Sequence, residues 1–242
     1  MHGFDAMPGK KITVPFKAMY MARILLIAVL LLSLTSVSAQ NKRFIRPDYK
    51  KISKTINKTG SPLNYAVLME RYRTNDTTLT REEYHLLYFG YSLQPDYRPD
   101  SQSAYSDSLL KLMRLPEVGA SQYDVIIRLA DKVLETNPFD MRYLDPVIYA
   151  YRMKGNEEIA QKLEFRLGRI VETIFNSGDG FSEKTAFHVI AISHEYDLLR
   201  ALGFRYGGQQ RLTKAGVDYL KVEPNDYGIE GMFFSLKGMA NQ

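Results

Sequence analysis

The spacing of apolar residues changes once along this chain, near residue 203, and that change limits the fold more than any other feature. Between residues 48 and 202 the apolar side chains recur every three or four positions. After Gly203 they alternate. A period of 3.6 buries one face of a helix and a period of two buries one face of a strand. The expected fold is therefore mainly α, built of antiparallel helix pairs and closed by a small C-terminal β-hairpin.

The helices are expected from their start and stop signals. Asp48 can cap a helix carrying Tyr49, Ile52 and Ile56. Ser61-Pro62 reads as an N-cap followed by Pro at the first helical position, opening a helix with Leu63, Val67, Leu68 and Tyr72. Thr80-Arg81-Glu82-Glu83 reads as a capping box, and behind it Tyr84, Leu87, Tyr88 and Tyr91 fall on one helix face. Pro95 and Pro99 break the chain there, and a further helix is expected over about 103–115. Tyr123 to Leu134 is amphipathic and ends at Asn137-Pro138. The next helix spans about 140–153, with Asp145-Pro146 marking either a kink or its true start. Gly155 stops it and Asn156 caps another. Ser177-Gly178-Asp179-Gly180 ends that one, and a last helix is expected from Thr185 to Leu202. Ala215 to Val222 and Met232 to Leu236 supply the two alternating strands.

Within this series, Ile126, Ala130, Val133 and Pro138 fit the second helix of a tetratricopeptide unit, and Leu144, Val147, Tyr151, Gly155 and Ala160 fit the next. A tetratricopeptide-like right-handed array is one reading, and a generic antiparallel helix pair is the other. No third copy follows, so a long solenoid is not expected.

The N-terminal region points to export. Ala22-Arg23 precedes the apolar run Ile24–Leu32, and Val37-Ser38-Ala39 puts small residues where a signal peptidase cuts. The uncharged stretch from Ile24 to Ala39 is 16 residues, short of the roughly 20 that span a bilayer. Residues 1–20 read as a leader or mis-assigned start, 21–39 as a signal peptide, and 40–242 as one helical domain with 204–242 a β-containing appendage. Gln40 stands where a lipoprotein carries its cysteine, so neither a lipid anchor nor a membrane span is expected after cleavage. The expected location is periplasmic or secreted. With no cysteine anywhere, disulfides, thiol nucleophiles and cysteine-bound metals are excluded. Without residues 1–39 the chain has 28 basic against 26 acidic residues, a charge of +2 that gives no footprint for nucleic acid.

Chemical motifs are sparse. His194-Glu195-Tyr196-Asp197-Leu198 begins like a zinc-protease motif, but Leu198 occupies the second histidine's place. His188 and His194 are six residues apart, about 120° out of phase on a helix, so they would not share a metal. Gly178-Asp179-Gly180 lacks the Lys-Ser/Thr of a phosphate loop and the alternating carboxylates of a calcium loop. Gly207-Gly208-Gln209 reads as a flexible turn, and no G-x-S-x-G elbow occurs. No metal site and no cofactor is expected. The candidate catalytic residues are His194, Glu195 and Asp179, and the candidate binding residues are Tyr84, Tyr88, Tyr91, Tyr196 and Gln209.

Several segments together resemble an uncharacterised family, a "domain of unknown function" of exported proteins common in the phylum Bacteroidetes. The resemblance rests on Phe44 with Arg46-Pro47-Asp48-Tyr49, Leu68-Met69-Glu70-Arg71-Tyr72 and Leu86 to Gln94. It continues through Ser177 to Gly180, Thr185-Ala186-Phe187, Val189-Ile190, His194-Glu195-Tyr196 and Gly207-Gly208-Gln209. It closes with Asp218-Tyr219-Leu220, Gly228 to Gly231 and Phe233-Phe234. It implies an exported helical domain and carries no catalytic residues. The function expected is a non-catalytic module that binds a peptide or protein. The alternative is a hydrolase-like periplasmic enzyme using His194, Glu195 and Asp179.

Overall fold

The computed structural model describes residues 44–98, 103–115 and 118–236, all within one compact unit, Arg43–Gln242. The expected leader and signal peptide lie outside the described residues. About half of the described residues are helical, in eight α-helices, and four strands form one small mixed sheet. The helices are α1 (Tyr49–Ile56), α2 (Tyr65–Arg73), α3 (Arg81–Tyr91), α4 (Ser106–Met113), α5 (Ala120–Thr136), α6 (Met141–Met153), α7 (Glu157–Phe175) and α8 (Ile192–Ala201). The strands are β1 (Phe187–Val189), β2 (Tyr206–Leu212), β3 (Asp218–Val222) and β4 (Gly231–Leu236).

Most helix starts stand where side chains can accept their orphan amides. The Asp48 carboxylate accepts from the Lys51 amide, Asn156 from Ile159, and the Thr80–Glu83 capping box is complete. The helix expected from Ser61-Pro62 instead begins at Tyr65. Ser61 and Asn64 close a turn through the Asn64 amide and the Ser61 carbonyl, and Asn64 then caps the helix by accepting from Ala66. Leu63 consequently lies before the helix, and Val67 is 43% exposed. Pro146 sits inside α6, which starts at Met141 behind the Asp140 cap, so the alternative start at Asp145 does not apply.

Helix α3 is the centre of the helical part. It packs on α1, α2 and α7, and Leu86, Phe89 and Gly90 are buried along with the four tyrosine-stripe residues. A helix apolar on every side belongs inside a core rather than on its surface. Gly90 is what lets α1 approach: a Cβ there would lie 2.8 Å from Ile56 Cδ1. Around α3, Tyr72, Tyr88 and Tyr91 pack on Phe139 at centroid distances of 4.8, 5.5 and 5.4 Å. Their hydroxyls are not stranded: Tyr72 donates to the Pro138 carbonyl at 2.6 Å and Tyr91 to that of Thr136 at 3.3 Å. Farther along the chain, α5 packs on α6 and α6 on α7.

The single helix expected from Thr185 to Leu202 is three elements: a 3-10 turn at Glu183–Thr185, strand β1 and helix α8. Tertiary pairing overrides helix formation here, because β1 finds a parallel partner in β4, with Phe187 opposite Phe234 and Val189 opposite Leu236. The sheet order is β1-β4-β3-β2, so four strands stand where two were expected. Strand β2 includes Gly207-Gly208-Gln209, read from sequence as a turn. Strands β3 and β4 are antiparallel, with Leu220 opposite Met232. Asp218, Leu220, Val222, Met232, Phe234 and Leu236 face inward, whereas Tyr219 and Phe233 pair on the other face at 4.9 Å. Because β1 belongs to it, the sheet is not confined to 204–242.

Candidate functional site

Helix α8 carries the residues that sequence singled out for acid–base chemistry and sends them to different neighbours. His194 is 3% exposed and stacks on Tyr88. The Tyr88 hydroxyl accepts from the Ile190 amide and lies 2.8 Å from His194 Nδ1. That hydroxyl therefore donates to Nδ1, which leaves the ring proton on Nε2, towards the Phe139 carbonyl. Burial drives the imidazole down to about 4, against a smaller opposing pull from Asp140. His194 is thus a neutral core residue at pH 7.

Glu195, one position on, points towards β3. It is fully buried, and no N–H or O–H donor reaches either carboxyl oxygen; its polar neighbour is the Asp218 carboxyl. Burial, then the neighbouring Asp218 carboxyl, pushes it up to about 9, so it holds its proton at neutral pH. Asp218, on β3, accepts from Gln210 Nε2 at 3.5 Å, and Gln210 Oε1 accepts from the Tyr196 hydroxyl at 2.6 Å. Gln210 stands opposite Leu220 but is itself exposed at the edge of the sheet. Gln209, chosen from sequence, is exposed and makes none of these contacts. Asp197 is also buried, pushed up to about 7 by burial and held back by Arg200.

Asp179 serves the loop that ends α7. Its carboxylate accepts from the Phe181 amide at 3.0 Å, while the Asp179 and Gly180 amides both donate to the Thr185 carbonyl. No hydrogen bond joins any two of Asp179, His194 and Glu195. Tyr84, Tyr88 and Tyr91 are 2%, 0% and 9% exposed and present no ring to solvent. Tyr196 is partly buried and packs edge-on against Tyr206 at 5.1 Å. Among the described residues, no group of three histidines or carboxylates comes together to hold a metal ion.

An open groove lies elsewhere, where the segment entering α1, the start of α3 and the end of α7 meet. Its volume is about 540 Å³, within the range of about 300–1,000 Å³ that takes a small ligand. Ile52, Leu86 and Thr173 form the buried part of its lining, and Arg46, Lys51, Glu82 and the Arg81–Glu172 ion pair at 2.7 Å stand around it. His85 belongs to the same wall, with its ring edge-on to Phe89 at 4.9 Å. Burial and then Lys51 hold His85 below its usual value. His188, on β1, is driven to about 4 by burial, then by Arg46 and His85. None of these residues was chosen from sequence. They come from three stretches more than 25 residues apart, each with the pattern of an ordinary amphipathic helix, so only the packing of α3 on α1 and α7 reveals the groove.

Among the described residues no helix is long and apolar enough to cross a membrane. Neither the curated proteins nor the solved structures contain a significant match to this chain. A family model does match: residues 50–242 fit DUF4919, a domain of unknown function, and the chain belongs to that family.

Proposed function

We propose that this is an exported, non-catalytic binding module that works in the periplasm or outside the cell and holds a peptide or protein in the groove between α1, α3 and α7. The observation that carries this reading is the contrast between two polar regions. Three strongly displaced acid–base groups on α8, His194, Glu195 and Asp197, are buried, where they can fasten α8 but meet no substrate. The groove is open and mixes an apolar floor with charged side chains, the usual composition of a recognition surface. Export is supported by the residues around Ile24–Ala39, and the modest charge after cleavage argues against a nucleic-acid partner. The stacking of α5 on α6 and α6 on α7 is compatible with a tetratricopeptide-like reading of that stretch.

Two measurements test this. Mass spectrometry of the protein isolated from its own cells should find it outside the cytoplasm with Gln40 as the first residue. A cytoplasmic protein that retains residues 21–39 refutes export. A photo-crosslinking residue at Glu82, on the groove rim, should capture a defined partner, whereas one at Tyr227, which is 75% exposed on the β3–β4 loop, should not. Equal capture at both positions, or none at Glu82, refutes the groove as the binding surface.

A further inference from the structure

We infer that the outer edge of the sheet is an interaction surface separate from the groove: the stretch Gln210 to Leu212 of β2 takes an extended segment of a partner protein as a fifth, antiparallel strand, with an acidic residue of that segment opposite Arg211.

Strand β2 ends the order β1-β4-β3-β2 and pairs with β3 alone. Among the described residues nothing hydrogen-bonds along its other side. In β4 every second side chain is buried, whereas six of the seven residues of β2 are exposed. The Thr213 amide donates to the Val217 carbonyl. The alternation of an antiparallel ladder therefore turns the amide and carbonyl of Arg211 towards β3, and those of Gln210 and Leu212 away from it. These outward backbone groups are what an added strand pairs with, since an extended chain presents donors and acceptors at the matching spacing.

The edge discriminates among strands. Between Tyr206 and Gln210 the register slips, and Gly208 takes a φ of 78°, so a regular partner has only the stretch from Gln210 onward. A second copy in the antiparallel register centred there would set Arg211 against Arg211, and like charges directly opposite are unfavourable. Residues 206–217 contain Arg211 and Lys214 and no carboxylate. Asp218, which follows, is buried on the inward face. The Arg211 guanidinium lies over the Tyr219 ring at 4.7 Å, which holds it on the outer face, and meets no carboxylate among the described residues. In antiparallel addition the residue opposite Arg211 falls in a non-hydrogen-bonded pair, where cross-strand side chains stand closest. A Glu or Asp there forms the ion pair that Arg211 lacks. Leu212 is 57% exposed and calls for an apolar residue next to that acid. An edge defended against every strand would carry a charge in place of this leucine.

The test uses capped octapeptide pools with a central Glu, Gln or Lys and the other positions drawn from Val, Ile, Thr and Ser. Hydrogen exchange of the Gln210 and Leu212 amides is followed with each pool. The Glu pool should slow both amides at a concentration about fivefold below that required of the Lys pool, the scale of one exposed cross-strand charge pair. Arg211→Glu should reverse the order. N-methyl groups on the two residues flanking the Glu point at β2 and should abolish the protection, whereas one on the Glu itself points away and should not. Equal action of the Glu and Lys pools, protection that survives the flanking N-methyl groups, or no protection with any pool overturns the proposal. Leu212→Pro removes an amide that faces away from β3, so it should keep the melting temperature and lose the effect of the Glu pool. If that variant fails to fold, the modified peptides still decide the matter on the parent protein. Sedimentation of the protein alone is the last arm: a monomer is expected, and a dimer that Arg211→Glu alters makes the occupant a second copy and refutes the partner strand.

Discussion

Replacing Glu195 by Gln should stabilise the protein, and by more as the pH rises. Glu195 is fully buried, no donor reaches its oxygens, and its folded-state pKa of about 9 stands well above the ordinary 4.5. Between those two values the folded chain binds a proton that the unfolded chain has released. Stability therefore falls as pH rises through that window, by roughly 1.4 kcal/mol per pH unit. At pH 7 the accumulated loss relative to pH 4 is on the order of 3 kcal/mol, a large share of the ~5–15 kcal/mol that holds a domain. A glutamine keeps the shape, can donate to Asp218 as the protonated carboxyl does, and needs no proton uptake to fold, so it should recover about 1–3 kcal/mol at pH 7. Asp197, whose pKa is raised to about 7, contributes a slope of the same sign that flattens above that pH; it remains in both proteins and cancels in the comparison. Urea unfolding at pH 5, 7 and 8.5, followed by far-ultraviolet circular dichroism, measures the difference directly. If Glu195→Gln is no more stable than the parent at pH 8.5, or if both lose stability between pH 5 and 8.5 at the same rate, the buried-acid account is wrong.

Three further outcomes follow from the packing. Tyr88→Phe removes the partner of both His194 Nδ1 and the Ile190 amide and should cost about 1–3 kcal/mol in urea unfolding; an unchanged midpoint would mean that neither group depends on the hydroxyl. Gly90→Val places bulk where even a Cβ comes within 2.8 Å of Ile56 and should cost about 1–3 kcal/mol through overpacking, relieved in part by a second change, Ile56→Ala. Removing everything after Gly203 takes Leu220, Val222, Met232 and Phe234 from the core, each worth ~1.5–3 kcal/mol, so a truncated chain that keeps the full-length melting temperature would show that the helices stand alone.

The helical half was legible because its signals are local. Thr80 and Glu83 meet within one turn, and the Tyr84, Leu87, Tyr88 and Tyr91 stripe is buried as its spacing requires. Strand β1 was missed because three residues carry too little periodicity, and what makes Phe187–Val189 extended is a partner more than 40 residues later. The candidate residues fared similarly. Spacing put His194 and Glu195 on one helix, which is correct, but adjacent positions on a helix point about 100° apart, and they end in separate environments. Choosing Gln209 over Gln210 is a one-residue phase difference on a strand, which changes the face entirely. The groove has no local signature at all.

The strand order has a consequence for how the molecule is made. In β1-β4-β3-β2 the fourth strand in sequence is an interior strand, joining β1 on one side to β3 on the other. A ribosome delivers residues 231–236 more than 40 residues after β1, and until then β1 has no strand partner and Phe187 lacks the Phe234 ring that packs beside it. Folding of this sheet cannot keep pace with elongation past β1; it must wait for β4 and then close long-range pairings together. Such an order leaves the core face of the sheet uncovered until β4 arrives.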